Sequence, residues 1–338
     1  MKARNLAKSD TPNYTTKQKE KPAENKIVQK HTKRSHIEAV NTLLVVGSGK
    51  GGVGKSTVSV NLAVALASRG AQVGLLDGDA YGPSIPMMLG VRKREASHGW
   101  GVSLPLAQRG KLPPAQMLKP LPRYGVKVMS VGFFIGEEQT VAPIPDVLGM
   151  LIWQLLYTVN WGHLDYLIID LPPGTGEPQA TLCRDLQLDG AILVTTPQDV
   201  ARIDAAKAFG MFESVGVPVL GLVQNMSGFL CPHCGESVDI FPPSIESRTS
   251  LDGLPLLGSI PLDPATARSG DKGRPVVVSM PESPTSLAFL KMAEQVTLIL
   301  ESQRCSSENS SPELAEPFPT QEAAANVSEE HSSDESKE

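Results

Sequence analysis

The sequence predicts an α/β protein of three layers, a mostly parallel central sheet covered by helices on both faces. Short β-branched or aliphatic runs alternate with longer segments whose apolar residues recur at three- and four-residue spacings, the signature of repeated βαβ units. Several of the short runs, residues 43–46 and 166–169 among them, are too apolar to have a wet face, as strands covered on both sides must be. Hydrophobic residues make up 41% of the 338 and charged residues 20%, which suffices for one sizeable core or two modest ones.

In chain order, strands are expected at residues 43–46, 73–76, 126–131, 166–169, 191–194, 219–223 and 256–257. Helical periodicity covers residues 55–69, 147–159, 200–215 and 286–300. Residues 92–124 are punctuated by Pro and Gly and read as an insertion or long loop. Residues 1–40 are rich in Lys and Gln, and the stretch after Ser302 is dominated by Glu, Ser, Asn and Pro. Neither end carries enough apolar surface to offset the entropy of ordering it, so 1–40 and 303–338 are expected to be disordered around one domain, 41–302.

Composition narrows the function. With 31 basic and 36 acidic residues the net charge is −5, which gives no electrostatic reason to bind nucleic acid. No apolar run approaches the roughly 20 residues that cross a bilayer, and the N-terminus lacks a hydrophobic signal core. A cytoplasmic protein without membrane partners is expected. The four cysteines, Cys183, Cys231, Cys234 and Cys305, are too few and too unevenly spaced for a disulfide framework, so reduced thiols are expected.

Between the first strand and the first helix lies Gly49-Lys50-Gly51-Gly52-Val53-Gly54-Lys55-Ser56-Thr57, a phosphate-binding P-loop in its proper strand-to-helix context. Glycines let backbone N–H groups point at phosphate oxygens, the helix N-terminus adds positive potential, and the Lys55 ammonium reaches the outer phosphates. Ser56 is placed to ligate Mg²⁺ and Thr57 to bond an inner phosphate. The expected ligand is ATP with Mg²⁺ in a three-layer P-loop NTPase fold.

Two further strands end in carboxylates. Leu75-Leu76-Asp77-Gly78-Asp79 brings Asp79 to the nucleotide crevice, where it can hold Mg²⁺ waters or orient the attacking water; a solvated strand end is the plainer alternative. Leu167-Ile168-Ile169-Asp170 is Walker B-like, with Asp170 expected to hold Mg²⁺ through water. At the end of a later strand, Asn225 either reads the adenine edge or sits in an ordinary strand-to-loop transition.

Cys231-Pro232-His233-Cys234 follows directly. Two thiolates at this spacing converge on a soft metal or a cluster but supply half of a four-thiolate site, and a twofold dimer would supply the other half. An unligated pair, a redox dithiol and a dimer-bridging zinc are the alternatives.

The extra lysine at Lys50 resembles the deviant P-loop of the MinD and ParA partitioning ATPases and the nitrogenase iron protein. Together with Asp79-Ala80-Tyr81-Gly82-Pro83-Ser84, Leu171-Pro172-Pro173-Gly174-Thr175-Gly176, Thr195-Thr196-Pro197-Gln198 and the cysteine pair, it resembles the Mrp/ApbC family of iron-sulfur cluster carriers. The resemblance implies an ATP-sandwich homodimer in which Lys50 reaches the partner's phosphates and Asp79 is the catalytic carboxylate. It also implies slow ATP hydrolysis, a [4Fe-4S] cluster on Cys231 and Cys234 of each subunit, and transfer of that cluster to apo iron-sulfur proteins. The rivals are a MinD/ParA-like positioning ATPase, disfavoured by the acidic tail, and a zinc-stapled nucleotide-regulated scaffold. Departures from the family fall at Pro143-Ile144-Pro145-Asp146, where its arginine is missing, and at Pro242-Pro243-Ser244 after the cysteines. The four-cysteine N-terminal motif of some relatives is absent.

Overall fold

Four consecutive aliphatic residues, Leu43 to Val46, start the first strand, and the same logic repeats along the chain. The computed structural model describes residues 37, 39–91, 118–134, 145–231, 233–234, 236–241 and 250–308. The strands are β1 Leu43–Gly47, β2 Val73–Asp77, β3 Leu121–Arg123, β4 Val126–Ser130, β5 Tyr166–Asp170, β6 Gly190–Thr195, β7 Val219–Leu230, β8 Ser237–Val238 and β9 Leu256–Leu262. The helices are α1 Lys55–Ser68, α2 Ile85–Met88, α3 Pro145–Thr158, α4 Glu177–Asp185, α5 Asp199–Ser214, α6 Pro264–Asp271, α7 Val276–Ser279 and α8 Pro284–Glu308.

These strands form one sheet in the order β3-β4-β2-β5-β1-β6-β7-β8, with β9 also pairing β7. Pairing is parallel except for β3 with β4 and β7 with β8. Every residue of β1, β2 and β6 is buried. Because successive side chains point to opposite faces, both faces of the sheet are covered, which explains why these runs carry no polar alternation. The expected α/β class and three-layer arrangement are what the chain adopts.

Helix α1 is the wedge of the structure: every residue from Val58 to Leu66 is buried, so its apolar positions are not confined to one stripe. It lies against β5, α7 and α8, where Phe289, Met292 and Val296 of α8 are fully buried. The sheet places the site. Register pairs Val46 with Asp170 and Asp77 with Asp170, so the end of β1 and two strand-end carboxylates arrive side by side at the carboxyl ends of three central strands.

Several boundaries differ from expectation. β7 and β9 run beyond residues 223 and 257, because ladder pairing continues through Gln224, Asn225 and Ser259, whose polarity ends the apolar pattern. The unpredicted helices α2, α4 and α6 each have Pro at the first or second position, where its missing N–H costs nothing, so prolines that read as breakers are starts. Pro122 sits in β3, at the sheet edge, as strand prolines must. The tail boundaries also move. α8 continues to Glu308, past the expected domain end at 302, and Ile37 and Val40 are buried in the core although they fall inside the expected N-terminal tail. Residues 92–117 of the expected insertion lie outside the described residues.

Candidate functional site

The P-loop leaves β1 at Gly47 and is pinned at once, Ser48 Oγ donating to the Lys50 carbonyl at 3.0 Å. Gly52 and Gly54 take φ of 81° and 82°, the left-handed region that glycine enters without a Cβ penalty. Close approach dictates two glycines. A Cβ on Gly49 would stand 2.0 Å from the Asp204 carbonyl oxygen, and one on Gly54 would stand 2.1 Å from Asn225 Nδ2. Gly54 caps α1 with no side chain on the helix end. The first-turn N–H groups of Lys55, Ser56 and Thr57 therefore meet no capping oxygen, which makes an anion site.

Charge converges behind the loop. Lys55, 5% exposed, places Nζ 2.7 Å from Asp170 Oδ2 and 3.8 Å from Asp79 Oδ2. Ser56 Oγ donates to Asp170 Oδ2 and Ser59 Oγ to Asp170 Oδ1, each at 2.6 Å. Asp77, fully buried, accepts from Ser130 Oγ at 2.9 Å and from the Asp79 N–H at 3.2 Å. Burial, reinforced by the Asp170 charge, pushes the Asp77 carboxyl up to about 8. Burial also raises Asp79, and the Lys55 ammonium opposes that shift. Asp170 and Asp79 thus share one lysine, and Asp77 keeps a proton beside Asp170.

Sequence reasoning does not reach Ser59. The available signal is its spacing, three residues after Ser56 and so on the same helical face. The turn after β5 is tied to the loop as well: Gly174 N–H donates to the Ser48 carbonyl at 2.9 Å, and Gln179 Nε2 donates to the Pro173 carbonyl at 3.0 Å. Asn225, expected either at the adenine edge or in a plain transition, donates from Nδ2 to the Val53 carbonyl at 2.9 Å and so buttresses the P-loop.

The cysteine pair lies elsewhere in character. β7 and β8 form a hairpin, Leu230 facing Ser237, and Cys231 begins its connecting loop with its N–H on the Glu236 carbonyl at 2.9 Å. Cys231 is half-buried; His233 and Cys234 are exposed. Backbone N–H groups of Cys234 and His233 point at the Cys231 sulfur and hold its thiol below the ordinary range. Among the described residues no group of three or more His, Cys, Asp or Glu could hold a metal, so the pair has no third such ligand beside it there. Cys183 is fully buried, its thiol pushed up to about 12 by burial, and Cys305 is exposed on α8. Pro143, Ile144 and residues 242–244, where the sequence departs from the family pattern, lie outside the described residues.

Among the described residues no helix is long and apolar enough to cross a membrane. A family model described as ParA, NUBPL iron-transfer P-loop NTPase, matches residues 39–297. The iron-sulfur cluster carrier protein of Aquifex aeolicus is 42% identical over 274 residues, 80% of this chain and 71% of that one. The iron-sulfur cluster transfer protein NUBPL of Mus musculus is 43% identical over 274 residues, 80% and 81% of the two chains. Among solved structures, a nucleotide-binding protein from Archaeoglobus fulgidus in complex with ADP is similar with a TM-score of 0.58 and 34% identity, over 75% of this chain and 93% of that one. The cell division ATPase MinD of Pyrococcus furiosus is similar with a TM-score of 0.55 and 25% identity, over 77% and 99%.

Proposed function

We propose, from the premise that this chain belongs to the ParA/NUBPL family of iron-transfer P-loop NTPases, that it is an ATP-dependent iron-sulfur cluster carrier. In this reading it works as a homodimer, hydrolyses ATP slowly, holds a [4Fe-4S] cluster between subunits and passes it to apoproteins. The observation that carries the reading is the hairpin with half-buried Cys231 and exposed Cys234, two thiols on a chain that also carries a complete P-loop. Four thiolates need two chains, and a twofold axis near the hairpin would join the pairs.

At the nucleotide, residues 49–57 cradle the phosphates and Lys55 turns from the carboxylates to the outer ones. Lys50 reaches the partner's phosphates, as the deviant P-loop implies. Mg²⁺ fits the donor set: the Ser56 hydroxyl would hold it directly and Asp170 through water, and it would neutralise charge on the outer phosphates. Ser59 keeps Asp170 oriented for that task. Asp79 orients the attacking water, and its burial brings the carboxyl nearer the pH at which it can accept a proton. An adenine contact by Asn225 stays compatible with its bond to Val53, since an amide has a second N–H and an oxygen to offer. Free thiolates require reducing surroundings, and the cytoplasm is the compartment this reading assigns.

Anaerobic reconstitution tests it. A visible-absorbing protein with about four irons and four sulfides per two chains is expected. A colourless protein with about one zinc per two chains would replace the carrier by a zinc-stapled scaffold.

A further inference from the structure

The strand that supports the P-loop also carries the cysteines. Asn225, in the middle of β7, holds the Val53 carbonyl, and Cys231 follows the end of the same strand. Between them the ladder breaks. Asn225 pairs Ile260 and Phe229 pairs Leu262, so residues 226–228 of β7 stand against Pro261 alone, a residue with no N–H to give the ladder. Within this bulge Met226 has φ 56° and Gly228 φ 146°. The other non-glycine residues with positive φ among those described, Ala39 and Tyr124, sit in turns; Met226 alone sits in a strand. A hydroxyl bond of 2.7 Å between Ser259 and Ser227 pins the bulge to β9, and pairing with β8 resumes at Phe229.

The Val53 carbonyl and the Gly54 N–H belong to one planar peptide unit. A phosphate that draws the Gly54 N–H inward therefore turns the carbonyl that Asn225 reads. The absence of a Cβ on Gly54 is what lets the amide sit this close.

We propose that Asn225 and the bulge at residues 226–228 couple the nucleotide loop to the Cys231 and Cys234 hairpin, so that the thiol pair changes its exposure with nucleotide occupancy. This rests on the function proposed above, and it assigns Asn225 a positioning role distinct from reading adenine. A left-handed methionine held between two fixed points is a segment with a second, relaxed conformation within reach. Release of the bond at Val53 frees one of those points, and the hairpin is the end able to move, because β8 is exposed and only two residues long.

The test uses the full chain, metal-free and with Cys305→Ser, so that Cys231 and Cys234 are the accessible thiols while Cys183 stays buried. The rate of their modification by an aromatic disulfide reagent is measured with and without saturating Mg-ATP, with ATP affinity measured separately. In the parent the rate changes by about fivefold or more, the lower end of ordinary couplings. In Asn225→Ala the change falls below about twofold at saturation. Met226→Gly, which keeps the Val53 bond but removes the left-handed constraint, also falls below about twofold, and it decides the matter if Asn225→Ala does not fold. An unresponsive parent overturns the proposal, as does an undiminished response in the variants. Weakened ATP affinity with an intact response would leave Asn225 a base contact only. No cluster enters this assay, so failure of the carrier reading and failure of the coupling are separate results.

Discussion

The nucleotide end and the cysteine end of this protein are built on opposite principles. Around Asp170 the polar groups are buried or half-buried and answered from within the chain: Lys55, Ser56 and Ser59 converge on its two oxygens, and neighbouring strands fix its register. The hairpin that carries Cys231 and Cys234 pairs Phe229 with Val238 and Leu230 with Ser237, and among the described residues it presents an exposed β8 and an exposed Cys234. A site that must stabilise charge at a fixed point needs preorganised groups that water cannot reach. A site that must receive and release a cargo needs access, and in the proposed reading it needs a second chain as well. The contrast teaches that the lysine and carboxylates of the nucleotide end find their partners within one chain, while in the proposed reading the thiol pair, like Lys50, acts across to a second.

The most severe way to break that comparison is at the thiols. Cys231→Ser or Cys234→Ser should abolish stable cluster binding outright, read as iron and sulfide per chain, while ATP affinity of the metal-free protein stays within about twofold of the parent. A fully loaded double variant would show that the hairpin is not the cargo site.

At the other end, Lys55→Ala should cost about 3–5 kcal/mol of stability in nucleotide-free protein, because it leaves the buried Asp170 without its cation. ATP affinity should fall by about a factor of ten to a hundred with the lost charge-assisted bond. Denaturant unfolding and equilibrium nucleotide binding measure the two effects. A Lys55 variant with parent stability would mean that the serine hydroxyls alone satisfy Asp170.

Asp77 sharpens the comparison through pH. Its folded carboxyl is raised from 3.8 to about 8, so the folded protein retains a proton that the unfolded chain releases. The group therefore costs nothing below about pH 4, costs progressively more as pH rises, and costs the full amount above about pH 8. Asp77→Asn removes that cost, and the Ser130 hydroxyl can rotate to accept from the new amide. Without Mg²⁺ or nucleotide, the variant should be more stable than the parent by up to roughly a few kcal/mol at pH 8 and by little near pH 4. Thermal melts across that range should show the gap widening with pH; a constant gap would mean that Asp77 is ionised throughout.

The smallest effect is expected far from both sites. Arg304, beyond the domain end read from the sequence, bonds the Thr42 hydroxyl and the Asn41 carbonyl from the exposed last turns of α8. Arg304→Ala should change stability by less than about 1 kcal/mol and leave ATP binding unaltered. A larger loss would make the end of α8 part of the core.

Much of this molecule is legible in its sequence for local reasons. The buried strands announce themselves because residues covered on both faces must all be apolar, and the P-loop because phosphate binding demands glycines and a lysine at fixed offsets. Where local cues compete with tertiary ones, reading fails. Gln224, Asn225 and Ser227 look like the end of a strand, yet pairing to β9 and β8 carries β7 through to Leu230. The prolines that open α2, α4 and α6 look like breakers because a sequence does not say on which side of a proline the helix lies.

By itself the sequence determined the α/β class, the order of its principal strands and helices, the phosphate loop and the pairing of two thiols at metal-binding spacing. These depend on periodicity and on chemistry within a few neighbouring residues. Only the tertiary structure decided that Asp79 and Asp170 share one lysine with Asp77 buried beside Asp170, that Ser59 orients Asp170, and that Asn225 props the loop rather than merely closing a strand. Those relations join residues far apart in the chain, set by sheet register and by the absence of a Cβ at Gly54, and no local pattern encodes which distant partner a buried polar group will find.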